Sequence, residues 1–412
     1  MSENTNKLNT DPYKGVRDFY PEDQSIQNYI FNVWKKTCES FGYQEYNASP
    51  LEPSELYKAK SGEEIVNEQT YSFVDRGGRE VTLRPEMTPT VARMIAGRKR
   101  ELSLPVRWYS IPNMFRYERP QRGRLREHYQ LNCDIFGLDN IHADIEIIRL
   151  AYQIMINFGA KEKDFEVRLS NRKLLNKTLS EMGLTSEQSH DFQKLLDRKK
   201  KIDNFDEEAE RIVGRKIEWK LEPDEEMQNL MKELQNSGIS NVKFDDTIVR
   251  GFDYYTGTVF EIYDTNPENS RALFGGGRYD DLLSLFGSDK VSAIGFGMGD
   301  VTARDFLETR GILPKYESST KVYIGTFGEE FANEADELAQ ILRDKNINVA
   351  VNYSDKKIGD QIKKADKEKI NFFIAIGEEE AKTKTYRVKN LFTDSEKEVP
   401  LEDVASEINK QP

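Results

Sequence analysis

Cysteine is nearly absent. Cys38 and Cys133 are the two in 412 residues, and they lie far apart in sequence. That excludes a disulfide framework and points to a reducing compartment, so a cytoplasmic protein is expected. Histidine is as scarce: His128, His142 and His190 are scattered, and no cysteine stands at metal-ligand spacing from them. Neither a metal site nor a Ser-His-Asp arrangement follows. No apolar run reaches the length of a membrane span, and the polar start from Met1 to Asp11 does not read as a signal peptide. Positive charge is outnumbered, with Lys+Arg at 60 against Asp+Glu at 72 and a net charge of -12. This argues against a general nucleic-acid coat, while leaving room for a locally basic RNA surface. What remains is 11% aromatic and 32% charged, the composition of a soluble globular chain long enough for more than one domain.

Periodicity gives the organisation. Residues 22–42 carry Ile26, Tyr29, Ile30, Val33, Trp34 and Cys38 at helical spacing, with Gly42 as a left-handed cap. Arg76-Gly77-Gly78 between two short apolar runs reads as a hairpin turn. Residues 88–98 and 141–159 read as helices, and 107–116 and 129–137 as paired strands around a long polar loop. From about 171 to 240 the chain turns charged and helix-friendly, which predicts a helical insertion. Strands return at Ile248 and lead to a helix ending near Thr309. Gly311 to Ser319 reads as a linker. Beyond it, strands at 321–326, 349–353 and 372–377 alternate with helices at 329–345 and 357–369, a rhythm that implies a small parallel-sheet α/β domain.

Three constellations carry chemistry. Ile248-Val249-Arg250-Gly251-Phe252-Asp253-Tyr254-Tyr255-Thr256-Gly257 places an Arg, an Asp and two Tyr around glycines, and Gly275-Gly276-Gly277-Arg278-Tyr279-Asp280 repeats that mix. Buried, such groups would each need a partner, so they suit the floor of a polar-ligand site. Phe115 to Glu127 holds Arg116, Arg119, Arg122, Arg124 and Arg126. These planar forks suit a triphosphate or an RNA end, and an exposed, salt-bridged turn is the other reading. Gln130 and Asp134, four apart on one strand, share a face.

Together these segments resemble histidyl-tRNA synthetases, of the class II aminoacyl-tRNA synthetases, from Lys14 to about Glu407. The resemblance implies an α+β catalytic domain at 1–318, an antiparallel sheet flanked by helices, followed by an α/β anticodon-binding domain at 319–412. The implied partners are histidine, ATP with Mg²⁺, and histidine tRNA, in a homodimer with no membrane contact. The segment ending Ala48-Ser49-Pro50-Leu51-Glu52 resembles motif 1, whose proline lies at the dimer interface. By resemblance Glu86 binds the α-ammonium of histidine, and Gln130, Asp134, Tyr254, Tyr255 and Tyr279 form the rest of its pocket. The family usually has Glu where Asp134 stands. Arg116, Glu118, Arg124 and His128 bind ATP, with Arg116 on the α-phosphate and the histidine carboxylate, Glu118 on adenine, Arg124 on the outer phosphates and His128 where an aromatic, usually Phe, stacks on adenine. Arg116 and Arg250 are the catalytic candidates: Arg250 resembles the arginine that bridges carboxylate and α-phosphate as they meet. Lys356, Lys357, Lys363 and Lys364 are candidate RNA contacts or a solvated helix face. One departure stands out. Motif 3 usually ends in Glu-Arg, whereas Gly295-Phe296-Gly297-Met298-Gly299 runs into Asp300-Val301-Thr302. That departure keeps a second function class open, a regulatory subunit of histidine biosynthesis that retains the fold without the ligase chemistry.

Overall fold

The computed structural model describes residues 8–58, 69–248, 254–269 and 271–410. Arg250 and Asp253 therefore lie outside the described residues. Contacts divide the chain into two compact units, Met1–Leu313 and Pro314–Pro412.

The first unit is built on a nine-stranded sheet. Its six central strands, Val106–Ser110, Glu127–Phe136, Ala293–Gly299, Ala272–Arg278, Thr258–Asp264 and Phe165–Asn171, are antiparallel neighbours in that order. Short strands pair parallel at the two edges, Gln44–Glu45 and Val242–Phe244. Helix Pro21–Ser40 begins at a proline with Glu22 and Asp23 in its first turn, which favours its positive end. Its buried face is Ile30, Trp34 and Cys38, and Gly42 takes the left-handed turn after it with φ 81°. Helix Ile141–Asn157 is capped by the Asn140 side chain, which accepts from the His142 amide. The two helices pack into one core with the sheet's Leu131, Ile135 and Phe260. Cys38 and Cys133, remote in sequence, meet there as buried free thiols 3.3 Å apart.

Helices Arg172–Glu181, Ser186–Arg198 and Phe205–Val213 close a core of their own around Leu175, Leu195 and Phe205. The fourth helix of the charged stretch, Glu225–Asn236, sends Met227, Leu230 and Leu234 into the main core instead. Strand Val242–Phe244 precedes Ile248 and strand Thr258–Asp264 follows, while residues 249–253, where strands were expected to return, lie outside the described residues.

The second unit corrects an expectation. Its strands Val322–Thr326, Val349–Val351 and Phe372–Ile376 are parallel as the rhythm implied. Thr385–Asn390 and Glu396–Pro400 then add antiparallel, so the five-stranded sheet is mixed. The tight turn between these last two strands carries Asp394 at φ 54°, and a hairpin needs no crossover helix. No described helix is long and apolar enough to cross a membrane.

Candidate functional site

Glycines open the site. The sheet's middle strands carry Gly275, Gly276 and Gly277 opposite Gly297, Phe296 and Gly295. A Cβ on Gly295 would stand 2.1 Å from Asp134 Oδ1, and one on Gly297 2.3 Å from Gln130 Nε2. Side chains there would fill the space that Asp134 and Gln130 occupy, so the glycines make the floor of a cleft of about 280 Å³.

The strand Glu127–Phe136 runs beneath that cleft, and its residues mark two ends. From His128 to Asp134 it extends roughly 20 Å. At the Asp134 end, Asp134 is buried and accepts a hydrogen bond from the Tyr279 hydroxyl. Burial pushes its carboxyl up to about 7, against which the Tyr279 bond pulls down. Tyr279, Tyr254 and Tyr255 all line the cleft. Their rings pack, with Tyr254 centroids 4.9 Å from Tyr255 and 5.8 Å from Tyr279. The Tyr254 hydroxyl donates to Glu86 Oε2 at 3.0 Å, with Thr88 Oγ1 at 3.4 Å. Glu86 is itself buried at the end of the Arg84-Pro85-Glu86 turn. Arg84 fixes that turn from below, donating to the Ala48 and Asn113 carbonyls at 2.7 and 2.8 Å.

Toward the other end stand Glu118, Arg124 and His128, which line the same cleft. Arg116 Nε donates to the Pro85 carbonyl at 2.8 Å, which seats it beside Glu86 between the two ends. Burial first, and then the Arg116 charge, hold the His128 imidazole down to about 3, so the ring is neutral at physiological pH. Arg124 lies 3.5 Å from Glu118. The remaining loop arginines do other work. Arg126 stacks 4.0 Å over Tyr117 and donates to the Tyr13 hydroxyl at 3.0 Å and the Glu118 carbonyl at 3.2 Å. Arg122 pairs with Asp305 at 2.7 Å, and Arg119 is exposed.

All the described candidates thus gather at one cleft, and Asp134 stands beneath it, reaching it through Tyr279. Some participants escaped the sequence reading. Glu261 lines the cleft and accepts from the Tyr263 hydroxyl at 2.6 Å; its strand alternates inward opposite Gly275, the signal that could have found it. Arg278 is a structural counterion, buried against Asp144 and bonded to the Asn140 carbonyl at 3.0 Å. Asp300 is fully buried and accepts from Arg17 at 2.6 Å, Gln27 at 3.0 Å and the Tyr129 amide at 2.9 Å. Arg304 faces away from the cleft, paired to Asp23 at 2.9 Å and Glu308 at 2.8 Å. The cleft wall at that point is Gly299, Val301 and Thr302.

This chain is similar to known proteins along nearly its whole length. A family model described as histidyl-tRNA synthetase matches residues 15–217 and 203–300, and an anticodon binding domain model matches 321–411. A histidine–tRNA ligase of Leptospira biflexa is 42% identical, with 98% of this chain and 99% of that protein covered. One from Thermoplasma volcanium is 37% identical over 96% of this chain and 98% of that one. The solved histidyl-tRNA synthetase of Nostoc superposes with a TM-score of 0.80 at 23% identity, covering 98% of this chain and 100% of that one.

Proposed function

From its membership of the histidyl-tRNA synthetase family we infer that this chain is a histidine–tRNA ligase. It is an aminoacyl-tRNA ligase that activates histidine with ATP and esterifies the 3′ end of histidine tRNA. The observation that carries the reading is the two-ended cleft, with Glu86 and three tyrosines at one end, Glu118, Arg124 and His128 at the other, and Arg116 between. Coverage of a histidine–tRNA ligase from end to end, anticodon domain included, favours this over a regulatory paralogue.

Histidine enters with its α-ammonium on Glu86 and Tyr254, where a buried carboxylate and a hydroxyl already converge. Its imidazole lies against Tyr255 and Gln130. Asp134 answers an imidazole N–H through or beside Tyr279, since a buried carboxylate this close to neutrality gains from any added donor. Adenine stacks on the neutral His128 ring, and Glu118 takes its amino group. Arg116, seated between the two ends, holds the histidine carboxylate and the α-phosphate together. A carboxylate oxygen bonds to the α-phosphorus, the bond to the bridging oxygen breaks, and pyrophosphate leaves. No proton moves in that step, so fixed cations supply what it needs. Arg250 is proposed as the second cation, bridging the two anions as they meet. The 3′-terminal hydroxyl of the tRNA then attacks the adenylate carbonyl, releasing AMP.

Mg²⁺ is proposed as a companion of ATP. Such an ion is held mainly by the phosphates it accompanies, with one or two carboxylates. The second unit is proposed to read splayed anticodon bases. Of its lysines, Lys363 and Lys364 lie along helix Ile358–Lys367 and Lys356 and Lys357 just before it; all four are exposed. A homodimer through the motif 1 region is proposed because Leu51 and Phe73 are exposed on one face of the small sheet beside Pro50. The reducing cytoplasm is the proposed location. The test is ATP-dependent esterification of labelled histidine onto histidine tRNA. Transfer at a rate above that of a no-enzyme control is expected, and its absence with active ATP and folded tRNA would overturn the reading.

A further inference from the structure

We propose that Arg271 holds the outer phosphates of ATP, supplying the charge that the first turn of helix Asp300–Thr309 lacks. The proposal rests on the ligase reading above and deepens it.

The His128 end of the cleft is bounded by the arginine loop and by Gly299, Val301 and Thr302. None of these three carries charge, yet a triphosphate tail needs several cations. Most arginines nearby are already committed to carboxylates. Arg122 holds Asp305 and also Thr309 Oγ1 at 2.9 Å, Arg17 holds Asp300, and Arg304 holds Asp23 and Glu308. Releasing any of them would break an ion pair. Arg271 differs. It is exposed, and its guanidinium makes one hydrogen bond among the described residues, from Nη2 to the neutral Gln121 Oε1 at 3.3 Å. Exchanging that long bond to an amide for a phosphate loses little.

Its position is also right. Ala272, the next residue, lines the cleft. Gln121 opens the turn at the tip of the arginine loop, closed by the Gln121 amide on the Arg124 carbonyl at 3.0 Å and the reverse bond at 2.9 Å. Within that turn, a Cβ on Gly123 would lie 3.7 Å from Thr302. One tight turn therefore touches Arg271 on one side and Thr302 on the other. The ends of such a turn lie less than about 7 Å apart, within reach of an arginine side chain. The guanidinium is thus held on the turn that abuts Thr302, as a planar donor able to take phosphate oxygens.

The experiment compares Arg271→Ala, Arg271→Lys and Arg122→Ala with the unaltered protein in calorimetric titrations with ATP·Mg²⁺, AMP and histidine. Loss of one charge-assisted contact predicts about 10- to 100-fold weaker ATP binding for Arg271→Ala. AMP and histidine affinities should be unchanged, because neither ligand has outer phosphates. Arg271→Lys should fall between, since an ammonium keeps the charge without the fork. Equal losses for ATP and AMP, or ATP binding unaffected by Arg271→Ala, would overturn the proposal. So would a selective ATP defect in Arg122→Ala with none in Arg271→Ala. Unaltered protein that binds no ATP would sink the ligase reading as well, and that result is separable because it precedes any variant.

Discussion

His128 and Asp134 lie on one strand and answer pH with opposite signs. The His128 imidazole is depressed from 6.5 to about 3, so below about 6.5 the unfolded chain binds a proton that the folded one refuses. Its contribution is full above 6.5 and is lost as pH falls toward 3. The Asp134 carboxyl is raised from 3.8 to about 7, so in that window the folded chain binds the extra proton. Its contribution is present at low pH and is lost as pH rises toward 7. His128→Phe should therefore flatten the acid-side fall in stability, and Asp134→Asn should flatten the decline toward neutrality. Urea unfolding from about pH 4 to 7 reads both, and slopes that match the unaltered protein would remove the assigned causes. His128→Phe should also keep its ATP affinity, because a larger ring still stacks. Gln130 and Asp134 were legible in the sequence because they share a strand face, whereas Glu86 and His128 were singled out through the family resemblance. Glu261 was not singled out, because its inward face is set by Gly275 across the sheet.

Helix Asp300–Thr309 is held at its start by a network that spans the chain. Arg17 and Asp300 are 283 residues apart, and Asp300 also takes the Tyr129 amide from the strand beneath the cleft. The contact ties the helix that walls the cleft to the strand that carries His128. Arg17→Ala should cost about 3 kcal/mol, since it leaves Asp300 buried without its cation. Asp300→Asn should cost less, because it leaves no buried charge unpaired and its one amide oxygen still accepts from the Tyr129 amide. Chemical denaturation checks both, and a neutral Arg17→Ala would show that the network does not hold the helix. No local pattern announces such a pair: Asp300 was visible in the sequence as a departure, and its partner became visible on folding. The helices and central strands were readable from their own periodicity. The hairpin that ends the second sheet was not, because short exposed runs such as Glu396–Pro400 carry little apolar alternation.

At the scale of the whole molecule, the two units have separate cores. Leu131, Phe260 and Phe296 belong to the first, and Ile324, Leu338 and Ile374 to the second. The cleft is built wholly from residues of the first unit. Removal of residues 314–412 should spare histidine activation and cripple tRNA charging. Adenylate formation that falls in step with charging would contradict that division. The central claim is that the cleft selects histidine. It is tested most directly by ATP–pyrophosphate exchange with each standard amino acid in turn. A site built of buried polar groups rejects ligands that leave them unpaired by about 10⁴-fold or more. The account predicts exchange with histidine alone. Exchange driven equally by another amino acid, or none with histidine in the presence of Mg²⁺, would contradict it.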